Sequence, residues 1–406
     1  MKTKLFANVQ ILASTGLFIL FSFFAEIIFS QGTWTQKASL PDSGRFESGA
    51  FGTNGKGYVV TGRTSGTTYS ADTWEYDPVA NAWNAKAPYP LGGRREQVGF
   101  SIGSKGYVGT GRNATGGNKE FYEFDPVANT WTAKTNFGGA ARRDAAGCAA
   151  NGKGYIGTGQ DPSNGNNLQD WWEYDPTGNS WTQKAAFPDT ARNAAMAMTI
   201  GNKIYVGLGR NAANRYTGWW EFNPVANTWM KKANYGAGKR EEPNGFTIGN
   251  IAYVGVGFDA AIKNDFWAYD PSNDSWTAIA SMSTGRDEGI AFDINGKGYV
   301  GLGSNAGTQV DLWEYAPAST SINESAMENS VSVFPNPVYT QAAFSLNNEA
   351  ENALLTVYDI NGKEVKQIIF SGKQVILDRK NLESGIYFFQ VSAREKTNAI
   401  GKIVVQ

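Results

Sequence analysis

Gly57-Tyr58-Val59-Val60-Thr61-Gly62 is the first of six copies of one short phrase in this chain of 406 residues. The other copies are Gly106–Gly111 (GYVGTG), Gly154–Gly159 (GYIGTG), Ile204–Gly209 (IYVGLG), Ala252–Gly257 (AYVGVG) and Gly298–Gly303 (GYVGLG). Their six tyrosines are 49, 48, 50, 48 and 46 residues apart. A period of about 50 residues indicates an array of small β units, which bury their apolar faces only when they stack on one another.

Each unit contains the signals of four strands. A Gly/Asn/Lys turn such as Asn151-Gly152-Lys153 predicts a hairpin between the first strand and the Tyr-Val-Gly phrase. The third strand carries Trp74-Glu75-Tyr76-Asp77-Pro78 or a close relative, and the proline ends it because proline has no N–H for the ladder. A tryptophan marks the fourth strand, at Trp83, Trp131, Trp181, Trp229 and Trp276.

The sixth unit lacks this fourth-strand tryptophan after its third strand at Trp313. A matching tryptophan, Trp34, lies near the amino terminus and precedes Trp83 by 49 residues, in step with the period. We therefore expect an amino-terminal strand to complete the last sheet and close a ring, which leaves only short and protected strand edges.

Composition excludes several classes of chemistry. The chain has no histidine, which removes Ser-His-Asp and Cys-His nucleophile systems, zinc sites with histidine ligands and imidazole-bound copper. The single cysteine, Cys148, lies in a small apolar run and is interpreted as a buried core thiol. A net charge of −1 gives no sign of nucleic-acid or membrane-surface binding.

The first 30 residues have the features of an export signal. Lys2 and Lys4 precede the apolar stretch Leu17–Phe24, and Ser30 offers a small residue before a cleavage at about Gln31. A retained membrane anchor is the alternative. With cleavage, no stable membrane span is expected in the mature protein.

The unit resembles the Kelch repeat. The similar features are an arginine before the first strand, a second strand that ends in glycine, the Trp-Glu-Tyr-Asp-Pro type of third strand and the later tryptophan. The resemblance covers Gln31–Pro317, with Gly-x-Gly in place of the usual adjacent glycine pair. It implies an all-β fold, a six-bladed Kelch-type β-propeller closed by the amino-terminal strand, with the first strands around a central channel.

Charged residues recur at fixed distances from the repeat tyrosines. Arginine lies 13 residues before each of them, at Arg45, Arg94, Arg142, Arg192, Arg240 and Arg286, and the positions 11 residues before are Glu47, Glu96, Asp144, Ala194, Glu242 and Glu288. Residues two apart on a strand face the same way, so we expect a ring of alternating charge around one mouth of the channel. Arg63, Arg112, Gln160, Arg210, Phe258 and Ser304 follow each tyrosine by five residues and should share that surface.

The sequence leaves two interpretations of these charges open. They can be ion pairs between neighbouring blades that satisfy buried groups. A binding site would instead lie where the repeat symmetry fails, at positions such as Ala194 and at the added acids Glu241 and Asp287. The candidate ligand-binding residues are Arg45, Arg94, Arg142, Arg192, Arg240, Arg286, Arg63, Arg112, Arg210, Glu241, Glu242, Asp287 and Glu288.

After Pro317 the repeat stops. Residues 318–330 are rich in Ser, Asn and Glu and are interpreted as a linker. Residues 331–406 predict about seven short strands in a small β-sandwich. Their expected bounds are Val331–Phe334, Ala342–Leu346, Leu354–Ile360, Val365–Phe370, Gln374–Leu377, Ile386–Val391 and Ile400–Val405.

This last segment resembles the type A sorting domain of the type IX secretion system of Bacteroidota. The matching residues are Phe334-Pro335-Asn336-Pro337, Val357-Tyr358-Asp359-Ile360-Asn361-Gly362, Gly385-Ile386-Tyr387 and Lys402-Ile403-Val404-Val405. The resemblance implies passage through the outer membrane by the type IX machinery and removal of the domain during release or surface attachment. An adhesive sandwich that stays in place is the alternative.

Taken together, these features favour an exported, non-catalytic binding module, secreted or on the surface of a Gram-negative bacterium. Arginine, asparagine and aromatic side chains at one face suit a carbohydrate or protein ligand of acidic character. The alternative is a carbohydrate-active enzyme. Some exported Kelch propellers that resemble this chain interconvert sialic acid anomers with arginine and carboxylate groups, and Glu241, Glu242, Asp287 and Glu288 would then supply a general acid or base. No cofactor and no metal are expected.

Overall fold

The computed structural model describes residues 32–64, 66–212, 214–317, 331–359, 363–393 and 396–406. The predicted signal segment, 1–30, and the predicted linker, 318–330, lie outside these residues. Contacts divide the chain into two units, Met1–Ala318 and Ser319–Gln406. In the described part of the chain, no helix has the length and apolar character needed to cross a membrane.

The first unit consists of six four-stranded antiparallel sheets, the blades. Strand β1 (Thr33–Lys37) belongs to the sixth blade. Blade one contains β2 (Gly49–Thr53), β3 (Lys56–Val60), β4 (Thr73–Asp77) and β5 (Ala82–Lys86), and blade two contains β6 (Val98–Ile102), β7 (Lys105–Gly109), the loop hairpin β8 (Arg112–Asn113) and β9 (Gly116–Gly117), β10 (Phe121–Asp125) and β11 (Thr130–Ala133). Blade three contains β12 (Ala146–Ala150), β13 (Lys153–Gly157), β14 (Trp171–Asp175) and β15 (Ser180–Lys184).

Blades four and five each carry a small hairpin beside the four-stranded sheet. Blade four contains β16 (Met196–Ile200), β17 (Lys203–Gly207), the hairpin β18 (Arg210–Asn211) and β19 (Asn214–Arg215), β20 (Trp219–Asn223) and β21 (Thr228–Lys232). Blade five contains β22 (Asn244–Ile248), β23 (Ile251–Gly255), the hairpin β24 (Phe258–Asp259) and β25 (Ala261–Ile262), β26 (Phe266–Asp270) and β27 (Ser275–Ile279). Blade six contains β28 (Ile290–Ile294), β29 (Lys297–Gly301) and β30 (Leu312–Ala316), which pairs with β1.

The blades form a closed ring around their first strands. Each of the strands β2, β6, β12, β16, β22 and β28 contacts the first strand of the next blade, and β28 contacts β2 in turn. The closing sheet is completed by β1, whose Trp34 lies opposite Tyr315 of β30. The structure therefore confirms the predicted six-bladed propeller and the predicted closure by the amino-terminal strand.

Tryptophans of the fourth strands join neighbouring blades at the outside of the ring. The indole N–H of Trp34 donates to the carbonyl of Ala280, in the segment that follows blade five, at 2.8 Å. The same bond recurs around the ring from Trp83 to Ala38, Trp131 to Ala87, Trp181 to Thr135, Trp229 to Ala185 and Trp276 to Ala233. Trp34 thus makes at the closure the same contact that its equivalents make within the continuous chain.

Large and small side chains alternate where adjacent blades pack. A Cβ added to Gly106 would lie 2.1 Å from the ring of Phe51 in the preceding blade, and one added to Gly154 would lie 2.5 Å from Phe100. Where the first strand carries Cys148 instead of a phenylalanine, the facing glycine is replaced by Ile204, and both residues belong to one buried cluster. The side chain of Ile204 fills the volume that Cys148 lacks relative to phenylalanine, as close packing requires.

The second unit is a curled β-sheet with its own core. Its strands are β31 (Val331–Phe334), β32 (Gln341–Tyr358), β33 (Glu364–Asp378), β34 (Gly385–Ala393) and β35 (Lys396–Val405). We expected seven strands, and the structure has five. β32 continues through register shifts between Ser345 and Ala353, and β33 continues beside it, where we expected a break in each. Bulges of this kind bend a strand, so one sheet folds over a core that contains Phe344, Leu355 and Phe389.

Replacement of Trp34 by alanine tests the closure. We expect the W34A variant to lose about 3 kcal/mol of unfolding free energy, because a large aromatic contact and an interblade hydrogen bond are removed. The matched control is Trp229→Ala, the same contact in the middle of the chain, and it should cost a similar amount in chemical denaturation. A W34A protein that unfolds like the wild type, while W229A is destabilised, would contradict the closure.

A double-mutant cycle tests the size match between Cys148 and Ile204. Cys148→Phe alone should destabilise the protein by about 1–3 kcal/mol through overpacking, and Ile204→Gly alone by about 2–5 kcal/mol through a cavity. The double variant recreates the Phe–Gly pair of four other junctions and should recover at least half of the summed loss. Simple additivity of the two costs in denaturation experiments would show that the two side chains do not pack against each other.

Candidate functional site

One end of the channel opens through a small cavity of about 130 Å³, here called the mouth. Five carboxyl side chains bound it, those of Glu47, Glu96, Asp144, Glu242 and Glu288, and Ala194 occupies the sixth equivalent position. Two amides, Gln97 and Asn244, complete its polar wall. The mouth is therefore built from the acidic positions that the repeat pattern singled out.

A left-handed backbone turn directs these six residues to the mouth. Their φ angles are 58° at Glu47, 60° at Glu96, 50° at Asp144, 53° at Ala194, 52° at Glu242 and 52° at Glu288. A residue with positive φ breaks the alternation of an extended strand, so residues two apart no longer face the same side. The expected ring of alternating arginine and carboxylate around the mouth is wrong for this reason.

The six repeat arginines are buried inside the blades and none of them lines the mouth. Their exposed fractions are 0% to 3%. Arg142 is typical: its guanidinium donates to both carboxylate oxygens of Asp170 at 2.8 and 2.7 Å, donates to the carbonyl of Thr158 and lies over the ring of Phe137. The acidic partners of the other five arginines are Asp42 and Asp72 for Arg45, Glu120 for Arg94, Asp189 for Arg192, Asp265 for Arg240 and Asp311 for Arg286.

These pairs lie within one repeat rather than between neighbouring blades. Asp170 directly precedes the third strand of the blade that Arg142 begins, and Asp265 and Asp311 have the same place in their own blades. Buried guanidinium groups need such partners, because an unpaired buried charge is strongly destabilising. The arginines hold the loops around the mouth in place, and the acidic residues form its surface.

A second layer of residues surrounds the mouth and is unequal from blade to blade. The residues after the repeat arginines are Phe46, Arg95, Arg143, Asn193, Glu241 and Asp287, and they bridge in the same order to Arg63, Arg112, Gln160, Arg210, Phe258 and Ser304. The guanidinium of Arg95 contacts the Glu47 carboxylate at 2.6 Å, and that of Arg112 contacts Glu96 at 2.8 Å. The carboxylates of blades one and two are therefore paired with cations.

The other predicted cations of this layer are also engaged. Glu241 holds Arg210 at 3.0 Å and Arg215 at 2.6 Å, and Arg63 donates to the carbonyl of Gly66 and packs on the Phe46 ring. Sequence reasoning did not single out Arg95, Arg143 and Arg215. The doublets Arg94-Arg95 and Arg142-Arg143 were the available signal for two of them.

The mouth carboxyl groups of blades five and six, Glu242 and Glu288, lack such partners. Among the described residues, neither Glu242 nor Glu288 makes a side-chain hydrogen bond or ion pair, and the buried Oδ1 of Asp287 has no partner. Burial, followed by the charges of Glu47 and Asp287, raises the pKa of Glu288 to about 8. Burial and then the charge of Glu288 raise the pKa of Glu242 well above its usual range.

The pKa of Asp144, on the far side of the mouth, is raised less. Burial raises its pKa to about 6, against the nearby charge of Arg143. Carboxyl groups that bind and release protons near neutrality are suited to general acid–base chemistry and to ligand-linked protonation. In the described residues, no group of acidic or cysteine side chains is arranged to hold a metal ion.

Below the mouth the channel widens to a cavity of about 440 Å³. Small residues of the first strands line it, among them Gly52, Ser101, Thr199 and Thr247. Asp293 is the charged residue on this wall, at a position where the other blades have Gly, Ser, Ala or Thr. Burial raises the pKa of Asp293.

The pH dependence of stability tests the environment of Glu288. An unfolded glutamate loses its proton near 4.5, whereas folded Glu288 keeps it to about 8. The folded state then binds more protons in this window, so the free energy of unfolding should fall as the pH rises from about 5 to 8. Denaturant titrations at several pH values should show this slope, and Glu288→Gln should flatten it.

The chain has no histidine to titrate in the same range. The pKa values of Glu96, Asp144 and Glu242 are also raised, so Glu288→Gln should remove only its own part of the slope. Glu349→Gln, an exposed carboxylate of the second unit, is the control and should leave the slope unchanged. Equal stability of the wild type at pH 5 and pH 8 would contradict the raised pKa.

Comparison with known proteins agrees with this architecture. The secretion system C-terminal sorting domain matches residues 332–406, and the Kelch motif matches residues 253–283. A solved structure titled "Structure of YjhT" is similar to 70% of this chain and 98% of its own, with 16% sequence identity and a TM-score of 0.61. No curated protein matches the chain in sequence. The chain is a Kelch-type β-propeller followed by a secretion system C-terminal sorting domain.

Proposed function

We propose that this protein is a non-catalytic binding module that takes a carbohydrate or protein ligand at the mouth of its propeller. The sorting domain at residues 332–406 supports export, and we assign that step to the type IX machinery of a member of the Bacteroidota. The mature propeller then acts outside the cell, either released or held at the surface.

The observation that carries the proposal is the failure of symmetry at the mouth. Six blades repeat the same backbone there, yet Glu47 and Glu96 are paired with arginines while Glu242 and Glu288 are not. Unpaired carboxyl groups in a concave site cost stability, because burial is not offset by a partner. Such a cost is typical of groups that a ligand completes.

The structure changes the expected character of the ligand. An acidic ligand was expected from the arginines, but Arg45, Arg142 and their equivalents are buried, and Arg112 and Arg210 are paired with glutamates. The mouth presents mainly hydrogen-bond acceptors. A ligand that offers donors, such as the hydroxyl groups of a neutral sugar, fits these acceptors better than a second carboxylate does.

A second candidate function is a sugar mutarotase of the sialic acid type, the enzymatic alternative raised by the resemblance. It is favoured by the raised pKa of Glu288, about 8, and that of Glu242 in the same cavity. Ring opening of a sugar needs a base at the anomeric hydroxyl and an acid at the ring oxygen, and neighbouring carboxyl groups in different protonation states can supply both.

A glycan array probed with the full chain, sorting domain included, tests the binding role. We expect binding to at least one sugar class, and we expect the double variant Glu242→Gln/Glu288→Gln to weaken it about tenfold or more, since each lost hydrogen bond contributes roughly 0.5–1.5 kcal/mol. Glu349→Gln is the matched control. Array binding that is absent, or that persists unchanged in the double variant, would remove the proposal.

The rate of anomer exchange distinguishes the enzymatic alternative from binding alone. Magnetisation-transfer NMR on free sugars should show no acceleration if the protein only binds. Acceleration that disappears in the Glu242→Gln/Glu288→Gln variant would assign the mutarotase role instead.

A further inference from the structure

The mouth is an acceptor-rich surface without a cationic lining residue. Neither the residues that bound the mouth nor those that line the wide part of the channel include lysine or arginine. The guanidinium groups of Arg95, Arg112 and Arg143 contact the carboxylates of Glu47 and Glu96. On the side of blades five and six, no described cation makes an ion pair with Glu242 or Glu288, although the more distant charges of Arg210 and Arg95 act on them.

An amide supplies a second and independent sign of a missing donor. Asn244 is 9% exposed, and its Nδ2 donates to the carbonyl of Gly289 at 3.0 Å. Its Oδ1 is buried on the wall of the mouth and has no partner. A Cβ added to Gly289 would lie 2.4 Å from this oxygen, so glycine at 289 allows the Asn244 side chain to take up this position. The oxygen is therefore a buried hydrogen-bond acceptor without a donor.

Gln97, in blade two, is similar. It is 8% exposed, lines the mouth and makes one side-chain contact, between its Oε1 and the Thr61 hydroxyl at 2.7 Å. Its Nε2 has no partner. The Thr61 hydroxyl also lies 2.7 Å from the carbonyl of Val60, and its single proton cannot serve both acceptors. If the proton goes to Val60, the Gln97 amide donates to Thr61 and its oxygen faces the hydroxyl of Tyr89.

We propose that the ligand of the mouth carries a primary ammonium group, which is held by Glu242, Glu288 and the Oδ1 of Asn244. This inference rests on the proposed binding function and names the chemistry of its ligand. An ammonium group has three donors and no acceptor, which matches a site of carboxylate and amide oxygens. A bare metal ion fits less well, because it needs several oxygens at one short distance and the described acids do not converge in that way.

Protonation of the mouth couples to this binding. Without ligand, Glu288, whose pKa is raised to about 8, keeps its proton near neutral pH, and burial raises the pKa of Glu242 in the same direction. An arriving ammonium favours their charged forms, so binding releases protons and strengthens as the pH rises from 6 to 8.5. An alkylammonium stays charged over this range, since its pKa is about 10. The ammonium of a 2-amino sugar loses its proton within the range, because the neighbouring oxygens lower its pKa. The charged groups that face the pair are Glu47, Asp144, Asp287, Glu241, Arg95 and Arg210.

Isothermal titration calorimetry on the full chain, with its sorting domain retained, tests the inference with four probes. Glucosamine and 1,4-diaminobutane carry primary ammonium groups, whereas glucose and N-acetylglucosamine are neutral. We expect at least one of the amines to bind at least tenfold more tightly than the neutral sugars. For 1,4-diaminobutane, which stays charged, the affinity should rise from pH 6 to 8.5, and the heat should depend on the ionisation enthalpy of the buffer, as proton release requires. Glucosamine is compared with it at pH 6, where both amines are charged. Preference between the two amines distinguishes an amino sugar from a linear amine.

Variants locate the binding. Glu242→Gln and Glu288→Gln should each weaken amine binding about tenfold, and Glu349→Gln should leave it unchanged. Both glutamine variants should fold, because neither carboxyl group makes a side-chain hydrogen bond or ion pair among the described residues; thermal unfolding checks this. Asn244→Ala is a further variant, expected to weaken binding while retaining every carboxylate.

Three results would overturn the inference. If neutral sugars bind as tightly as the amines, the ammonium inference is wrong but the proposed binding function stands. Amine binding that is unchanged in both glutamine variants would place the ammonium elsewhere. Failure of both amines to bind would also reject it, and the glycan array would then decide the proposed function separately.

Discussion

One backbone hydrogen bond, repeated at every junction, holds the ring of blades together. The N–H of the last glycine in each repeat phrase donates to the carbonyl of the repeat arginine in the next blade at 2.7–2.8 Å, from Gly62 to Arg94 around to Gly303 and Arg45. These glycines have φ angles between 77° and 114°. A Cβ at Gly111 would lie 2.4 Å from the carbonyl of Arg95, so only glycine fits. The constraint explains why the phrase ends in glycine six times.

The same bond places the candidate site. It ties down the carbonyl of the arginine, and the mouth carboxylate follows two residues later in a left-handed turn. Further backbone bonds link some of these turns directly, for example from Glu96 to Glu47 and from Glu242 to Ala194. The mouth is therefore rigid in its backbone, and its chemistry differs between blades only through side chains. Preorganised acceptors of this kind bind without a cost for ordering the loop.

Sequence alone predicted most of the fold because its signals are local and repeated. The tyrosine spacing, the proline after the third strand and the out-of-place Trp34 indicated six sheets and their closure. The site was predicted less well. The acidic positions were found by counting along the repeat. The direction of their side chains depends on a positive φ at residues such as Glu242, and glutamate is not a residue type that indicates a positive φ. The pairing of Arg112 with Glu96, and the long bent strand β32, depend on contacts between distant segments.

The division between the two halves of the mouth follows from how a repeated fold acquires function. Backbone bonds and buried arginine pairs hold each blade, so a side chain at the mouth can change without loss of these supports. Blade five has Phe258 and blade six has Ser304 where blades two and four have Arg112 and Arg210. Each replacement removes a cation from the second layer beside Glu242 and Glu288 while it leaves the strand pairing in place. Blades five and six also have Glu241 and Asp287 where blades two and three have Arg95 and Arg143, so both sources of second-layer cations are missing at this part of the mouth.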